Sequence, residues 1–141
     1  MTPTALPPRS SPLALHGERR GAYQAILSRF TDMRPDITSA VLATMDGFEV
    51  AMVERLGRSQ ATPLAAMASS LIALGRAAGR EAGHEGCQRV VVESGNGKLL
   101  VRPIGASGRS PLLLCMSLGA GALLGSALWA ADEIAKAVES L

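Results

Sequence analysis

The sequence predicts an α/β protein: a three-layer α/β/α sandwich around a five-stranded antiparallel sheet, in the order helix-strand-strand-helix-strand-strand-strand-helix. Three observations lead there. Two pairs of strand-like runs meet at short turn signals, Asp46-Gly47 and Ser94-Gly-Asn-Gly97, and connections of this length join antiparallel neighbours. Leu112 to Leu118 is apolar at every position except Ser117, the pattern of a strand covered on both faces. Three further stretches carry apolar residues at spacings of three and four, and three helices cannot share one face of a five-stranded sheet, so they must cover both.

Taken in order, residues 1–20 hold Pro3, Pro7, Pro8 and Pro12 with Arg9, Arg19 and Arg20 and almost no apolar period, which predicts a disordered Pro-rich tail ahead of a single domain over 21–141. From Gly21 the spacing of Tyr23, Ile26, Phe30 and Met33 predicts the first helix, closed by Pro35. Ile37 to Met45 and Phe48 to Val53 are the first two strands, and Asp46-Gly47 predicts a type I′ turn, which needs positive φ angles. A polar loop, Arg55 to Gln60, leads to Thr62-Pro63, a helix start in which Thr caps free amides and Pro takes the first helical position.

That second helix is expected to run to about Gly83. Leu64, Met67, Leu71, Leu74 and Ala78 form one apolar stripe, and Ala65, Ala66, Ser69, Ser70, Ala73 and Ala77 make slim flanks suited to close packing on another helix. Cys87 to Glu93 and Lys98 to Ile104 are the third and fourth strands, Leu112 to Leu118 the fifth. The last helix begins near Gly121, with Leu124, Leu128, Ala131, Ala135 and Val138 on one side.

With 141 residues, 48% of them hydrophobic, the chain can bury a core without disulfides or metal. Only four side chains are aromatic (Tyr23, Phe30, Phe48, Trp129), so that core must be aliphatic. The net charge of +2 comes with twelve Arg and two Lys scattered along the chain, not concentrated on one face, which argues against nucleic-acid binding. Cys87 and Cys115 are too few for a disulfide framework, and a reducing cytoplasm is the expected location. Ser110 to Ala131 lacks any charge over 22 residues, long enough to span a membrane. Pro111 and Gly119-Ala-Gly121 divide the run, however, and the pattern continues into Asp132, Glu133, Lys136 and Glu139, so a buried strand followed by an amphipathic helix is expected, and no membrane span.

No catalytic constellation can be assembled. A phosphate loop is absent around Gly97-Lys98, and Gly119-Ala-Gly121-Ala-Leu-Leu-Gly125 has one residue too many for a dinucleotide fingerprint. His84-Glu85 lacks the second histidine of a zinc-protease helix, and His84 is read as a helix-end residue near terminal carbonyls. With His16 placed in the tail and His84 in a loop, no base stands near a nucleophile, and both cysteines read as small buried hydrophobes. The expectation is a protein that is not an enzyme, with no catalytic or metal-binding residues and no cofactor.

In its topology-bearing segments the chain resembles the roadblock family, whose fold is profilin-like: the dynein light chains and their bacterial relatives that partner Ras-like GTPases, including gliding-motility regulators. The segments are Pro35-Asp-Ile-Thr-Ser-Ala-Val-Leu-Ala-Thr-Met-Asp-Gly-Phe-Glu-Val-Ala51, Val90-Val-Val-Glu-Ser-Gly-Asn-Gly-Lys-Leu-Leu-Val-Arg-Pro-Ile-Gly105, and Leu112 to Leu118 leading into the last helix. The likeness spans about Gly21 to Leu141. It implies a homodimer in which the third strand pairs with its mate across a two-fold axis and the second helices lie side by side. The interface would include Leu71, Leu74, Ala78, Cys87, Val90, Val91 and Val92, with Cys87 near the axis and Cys115 two strands away. The residues are compatible with this, because a bare edge at Val90-Val-Val92 would invite aggregation and pairing satisfies it. The resemblance further implies a regulator or adaptor for a Ras-like small GTPase; the alternative is a scaffold in a signalling or motor complex, such as a sensor-kinase pathway, without a GTPase partner.

Overall fold

The computed structural model describes Ala5 and residues 12–55, 61–105 and 110–141. Its elements are α1 (Pro12–His16) and a 3-10 turn (Gly17–Arg19), α2 (Arg20–Met33), β1 (Ile37–Thr44), β2 (Glu49–Glu54), α3 (Ala61–Glu81), β3 (Val90–Ser94), β4 (Gly97–Ile104), β5 (Leu112–Gly119) and α4 (Leu124–Glu139). The strands form one sheet in the order β2-β1-β5-β4-β3, antiparallel throughout.

β5 is the central strand, and its alternation explains its unbroken apolarity. Leu112, Leu114, Met116 and Leu118 join Tyr23, Leu27, Leu42, Leu100 and Ile134 in the core under α2 and α4. Leu113 and Cys115 face the other way, into a smaller core of Val41, Ala43, Val101, Ala65, Ala68 and Ile72 under α3. Successive side chains on a strand point to opposite faces, so both layers are built from one run. Each fully buried Leu contributes about 1.5–3 kcal/mol relative to exposure. The expected three-layer sandwich is therefore the observed one, with α2 and α4 on one face and α3 on the other.

The uncharged run from Ser110 divides as expected into strand and helix, and among the described residues no helix is long and apolar enough to cross a membrane. Arg34, at the end of α2, ties the first layer together: its guanidinium pairs with Asp36 at 3.1 Å and donates to Ser126 Oγ on α4 at 2.7 Å.

Three details depart from the sequence reading. The β1–β2 turn is not type I′, since among the described residues no residue other than glycine has positive φ, and Gly47 alone takes φ +94°. Gly47 N donates to Thr44 O and Thr44 N to Phe48 O, a three-residue loop with a glycine bulge that spares Asp46 the left-handed penalty. The expected loop at 55–60 lies outside the described residues apart from Arg55, which closes the strand pair by donating its N–H to Thr38 O at 3.0 Å, and α3 already begins at Ala61, so Thr62 and Pro63 lie inside the helix and not at its cap and first position.

The second departure concerns the tail. Residues 1–11 lie outside the described residues apart from Ala5, but Pro12–His16 is helical and His16 is fully buried. Its Nε2 lies 2.9 Å from Ser110 O and its Nδ1 2.8 Å from the Tyr23 hydroxyl. A carbonyl only accepts, so Nε2 carries a proton and Nδ1 can accept from Tyr23. Two hydrogen bonds, which a lone histidine in a Pro-rich stretch does not advertise, draw the end of the expected tail onto the domain.

The third is the start of β3. Cys87 was expected in the strand, yet the ladder begins at Val90, and Gly86 has φ +70°. A left-handed residue there turns the chain before it can pair. Pro103, two residues past Val90's partner Val101, therefore has no ladder partner in β3, and its missing N–H costs no ladder bond.

Candidate interaction surface

β3 is an edge strand, and its register determines which backbone groups are spare. Ser94 and Gly97 flank the two-residue turn and form a hydrogen-bonded pair, so by alternation Val90, Val92 and Ser94 point their N–H and C=O toward β4. Those of Val91 and Glu93 point outward, and among the described residues nothing bonds to them. Exposed backbone of this kind templates pairing with another strand unless it is blunted by charge, proline or a covering element.

The opposite edge is held at its middle. Because Arg55 N bonds Thr38 O, the same alternation turns the N–H and C=O of Met52 outward from β2. Gln24, on α2, takes both: Met52 N donates to Gln24 Oε1 at 3.2 Å and Gln24 Nε2 donates to Met52 O. The side-chain amide thus stands in for one peptide of an adjacent strand. Sequence reasoning missed this, because Gln24 reads as an ordinary polar position on a helix.

α3 crosses its face of the sheet diagonally. Its first half lies over the β1–β2 turn, where Ser69 Oγ donates to Met45 O at 2.7 Å. Its second half lies by the start of β3, where a Cβ added to Gly75 would come within 2.8 Å of Cys87 Sγ and 3.1 Å of Val90 Cγ2. Gly75 is what permits that approach. The helix lies on its own sheet through Ala65, Ala68 and Ile72; of the slim flank only Ala65 is buried, and Ala66, Ser70 and Ala73 remain exposed. The apolar stripe is left over: Met67 is 59% and Leu74 68% exposed, Ala78 is exposed and Leu71 half-buried. On the same face of the sheet Val92 is 39% exposed.

The predicted interface residues thus fall together. Val90, Val91 and Val92 form the edge, Cys87 leads into it half-buried, and Leu71, Leu74 and Ala78 line the half of α3 beside it. Cys87 is not the fully buried residue expected; its Sγ lies 3.6 Å from Arg89 O. Cys115 is two strands away and buried, and burial pushes its thiol up to about 12, so it stays protonated at neutral pH. His84 is exposed, and its backbone N–H donates to Gly79 O at 2.8 Å at the end of α3. Among the described residues no group of three or more His, Cys, Asp or Glu could hold a metal.

With the geometry in place, comparisons with known proteins bear on family. A Roadblock/LC7 domain from Streptomyces avermitilis is 29% identical, with a TM-score of 0.73, covering 83% of this chain and 94% of that one. MglB of Myxococcus xanthus shares the fold at a TM-score of 0.75 and 15% identity, covering 87% and 89%. The gliding protein MglB of Thermus thermophilus does so at 0.72 and 20%, covering 99% and 96%. No curated protein matches the chain in sequence. The family model described as the Roadblock/LC7 domain matches residues 23–108, a stretch that holds both hairpins, α3 and the β3 edge, and the chain belongs to that family.

Proposed function

We propose that this protein is a non-catalytic, homodimeric adaptor that acts in the cytoplasm by binding a bacterial Ras-like small GTPase and modulating its nucleotide cycle or location. The observation that carries the reading is the open β3 edge flanked on one side by the exposed stripe of α3. A strand edge and an apolar helix face beside it, related by a two-fold axis, make a self-complementary surface: backbone pairs backbone while Leu71, Leu74 and Ala78 meet their mates. Membership of the Roadblock/LC7 family and the shared fold of the two MglB proteins support a regulatory or adaptor role of the kind gliding proteins perform.

Such a dimer acts through its surface. It supplies a broad, rigid platform, and a partner's nucleotide state would be sensed through loops that change shape, not through chemistry at a protein side chain. The test is titration of the full chain with a Ras-like small GTPase from the same cell, loaded in turn with GDP and with a non-hydrolysable GTP analogue. The reading predicts binding that favours one nucleotide state and a changed rate of hydrolysis or exchange. Absence of binding in both states would remove the GTPase and leave a dimeric scaffold for another signalling complex.

A further inference from the structure

The charges flanking the open edge carry information about how two copies meet. Resting on the proposed dimer, the geometry points to a single register for β3 against β3: the two-fold axis passes through Val91, so that Arg89 of each subunit lies opposite Glu93 of the partner subunit.

The argument starts from which groups are free. The outward N–H and C=O belong to alternate residues, Val91 and Glu93, and the same alternation extends to Arg89, the residue before the strand, whose carbonyl also accepts from the Cys87 thiol and keeps a second lone pair for a partner. Outward groups must face outward groups, so a symmetric antiparallel pairing must centre on a residue, not between two. With the axis at Arg89 or at Glu93, like charges would stand directly opposite each other, which is unfavourable. With the axis at Val90, Arg89 meets Val91 and Glu93 meets Cys87. With the axis at Val92, Glu93 meets Val91 and Arg89 meets Gly95. The axis at Val91 alone matches the two opposite charges, and it matches them twice by symmetry.

The other face of the strand selects the same register independently. Val90 and Val92 point toward α3, where Val90 already packs in the smaller core and Val92 is 39% exposed. An axis at Val91 sets each Val90 beside Val92 of the partner subunit in a non-hydrogen-bonded pair, where side chains are closest. Shifting the axis by one residue would instead oppose Val92 to Gln88, or Val90 to Ser94.

The two charges are also available. Arg89 and Glu93 are both exposed and neither makes an ion pair among the described residues. Their neighbours are committed elsewhere: Arg102 pairs with Asp132 at 3.1 Å, and Lys98, directly opposite Glu93 on β4, donates its Nζ to Ala122 O at 2.9 Å. Arg89 therefore sits beside a neutralised arginine and has no counter-charge among the described residues.

A charge swap tests the register. The dimer dissociation constant of the full chain is measured by sedimentation equilibrium at low salt for wild type, Arg89→Glu, Glu93→Arg and the double variant; both sites are solvent-exposed in the protomer, so folding is preserved and is checked by melting temperature. Each single change is expected to weaken the dimer by about tenfold, since it places like charges together on both sides of the axis. The double change is expected to restore affinity to within about threefold, the coupling that marks a direct pair. A wild type that dimerises while the double variant is as weak as the two singles combined overturns the register alone. A monomeric wild type at all concentrations overturns the dimer beneath it.

Discussion

In the middle of β2 the outward amide and carbonyl of Met52 are both held by the side chain of Gln24, whereas on β3 those of Val91 and Glu93 meet nothing among the described residues. The two edges belong to one sheet and face the same solvent. A single glutamine, placed by a helix that already packs on that face, occupies the middle of the first. Leaving the second bare has a use only if something pairs with it. Part of the apolar remainder lies on the open side, with Leu71, Leu74 and Ala78 toward β3, while Met67 and Phe48 are exposed near the β1–β2 turn.

That contrast can be broken at several points. Val91→Lys should have the largest effect, because it sets two like charges against each other at the centre of the proposed pairing. Light scattering should show the dimer dissociation constant raised by about a hundredfold, with circular dichroism reporting an intact fold, since a lysine stem can keep the valine's contact with the core while its ammonium reaches water. A full dimer would remove the strand pairing. Leu74→Glu should weaken the dimer by about tenfold through the helix stripe and leave the protomer's melting temperature nearly unchanged, because Leu74 is 68% exposed before association.

At the β2 edge the outcome should invert. Gln24→Ala is expected to destabilise the protomer by about 1–2 kcal/mol in urea unfolding, as two partners of a backbone position are lost, and to leave dimer affinity unchanged. If the variant instead forms larger assemblies through β2, the edge matters as negative control and not only as stability.

Between the edges, Cys115 should be silent at neutral pH. Its folded thiol is raised from 9.0 to about 12 by burial. The unfolded chain therefore loses its proton first, so stability is fully present below about pH 9 and falls as pH rises toward 12. Cys115→Ala should flatten that alkaline decline, and a thiol reagent at pH 8 should modify Cys115 only as fast as the protein unfolds, with half-buried Cys87 reacting first.

Much of the fold was legible because its signals are local and agree with one another. Asp46-Gly47 marked the first hairpin, Ser94 to Gly97 the second, and the apolar run at Leu112 the doubly covered central strand. The edge was legible too, as a valine run beside an apolar stripe. What escaped depends on distant partners. Gln24 acquires its role from Met52, 28 residues away, and His16 from Ser110, 94 residues away. Neither has a local pattern. The type I′ expectation failed for a subtler reason: Asp46-Gly47 fits two turns that differ by one loop residue, and the close seat of α3, with Ala66 Cα 3.1 Å from a Cβ placed on Gly47, goes with the longer one.

The open edge itself can be read residue by residue through amide hydrogen exchange at protein concentrations well above dimerisation. The account predicts that the N–H groups of Val91 and Glu93, which have no acceptor among the described residues, are protected nearly as well as that of Leu100 in the buried strand beside them, and lose that protection on dilution or in Val91→Lys. Free exchange at Val91 and Glu93 at every concentration, with Leu100 still protected, would contradict it.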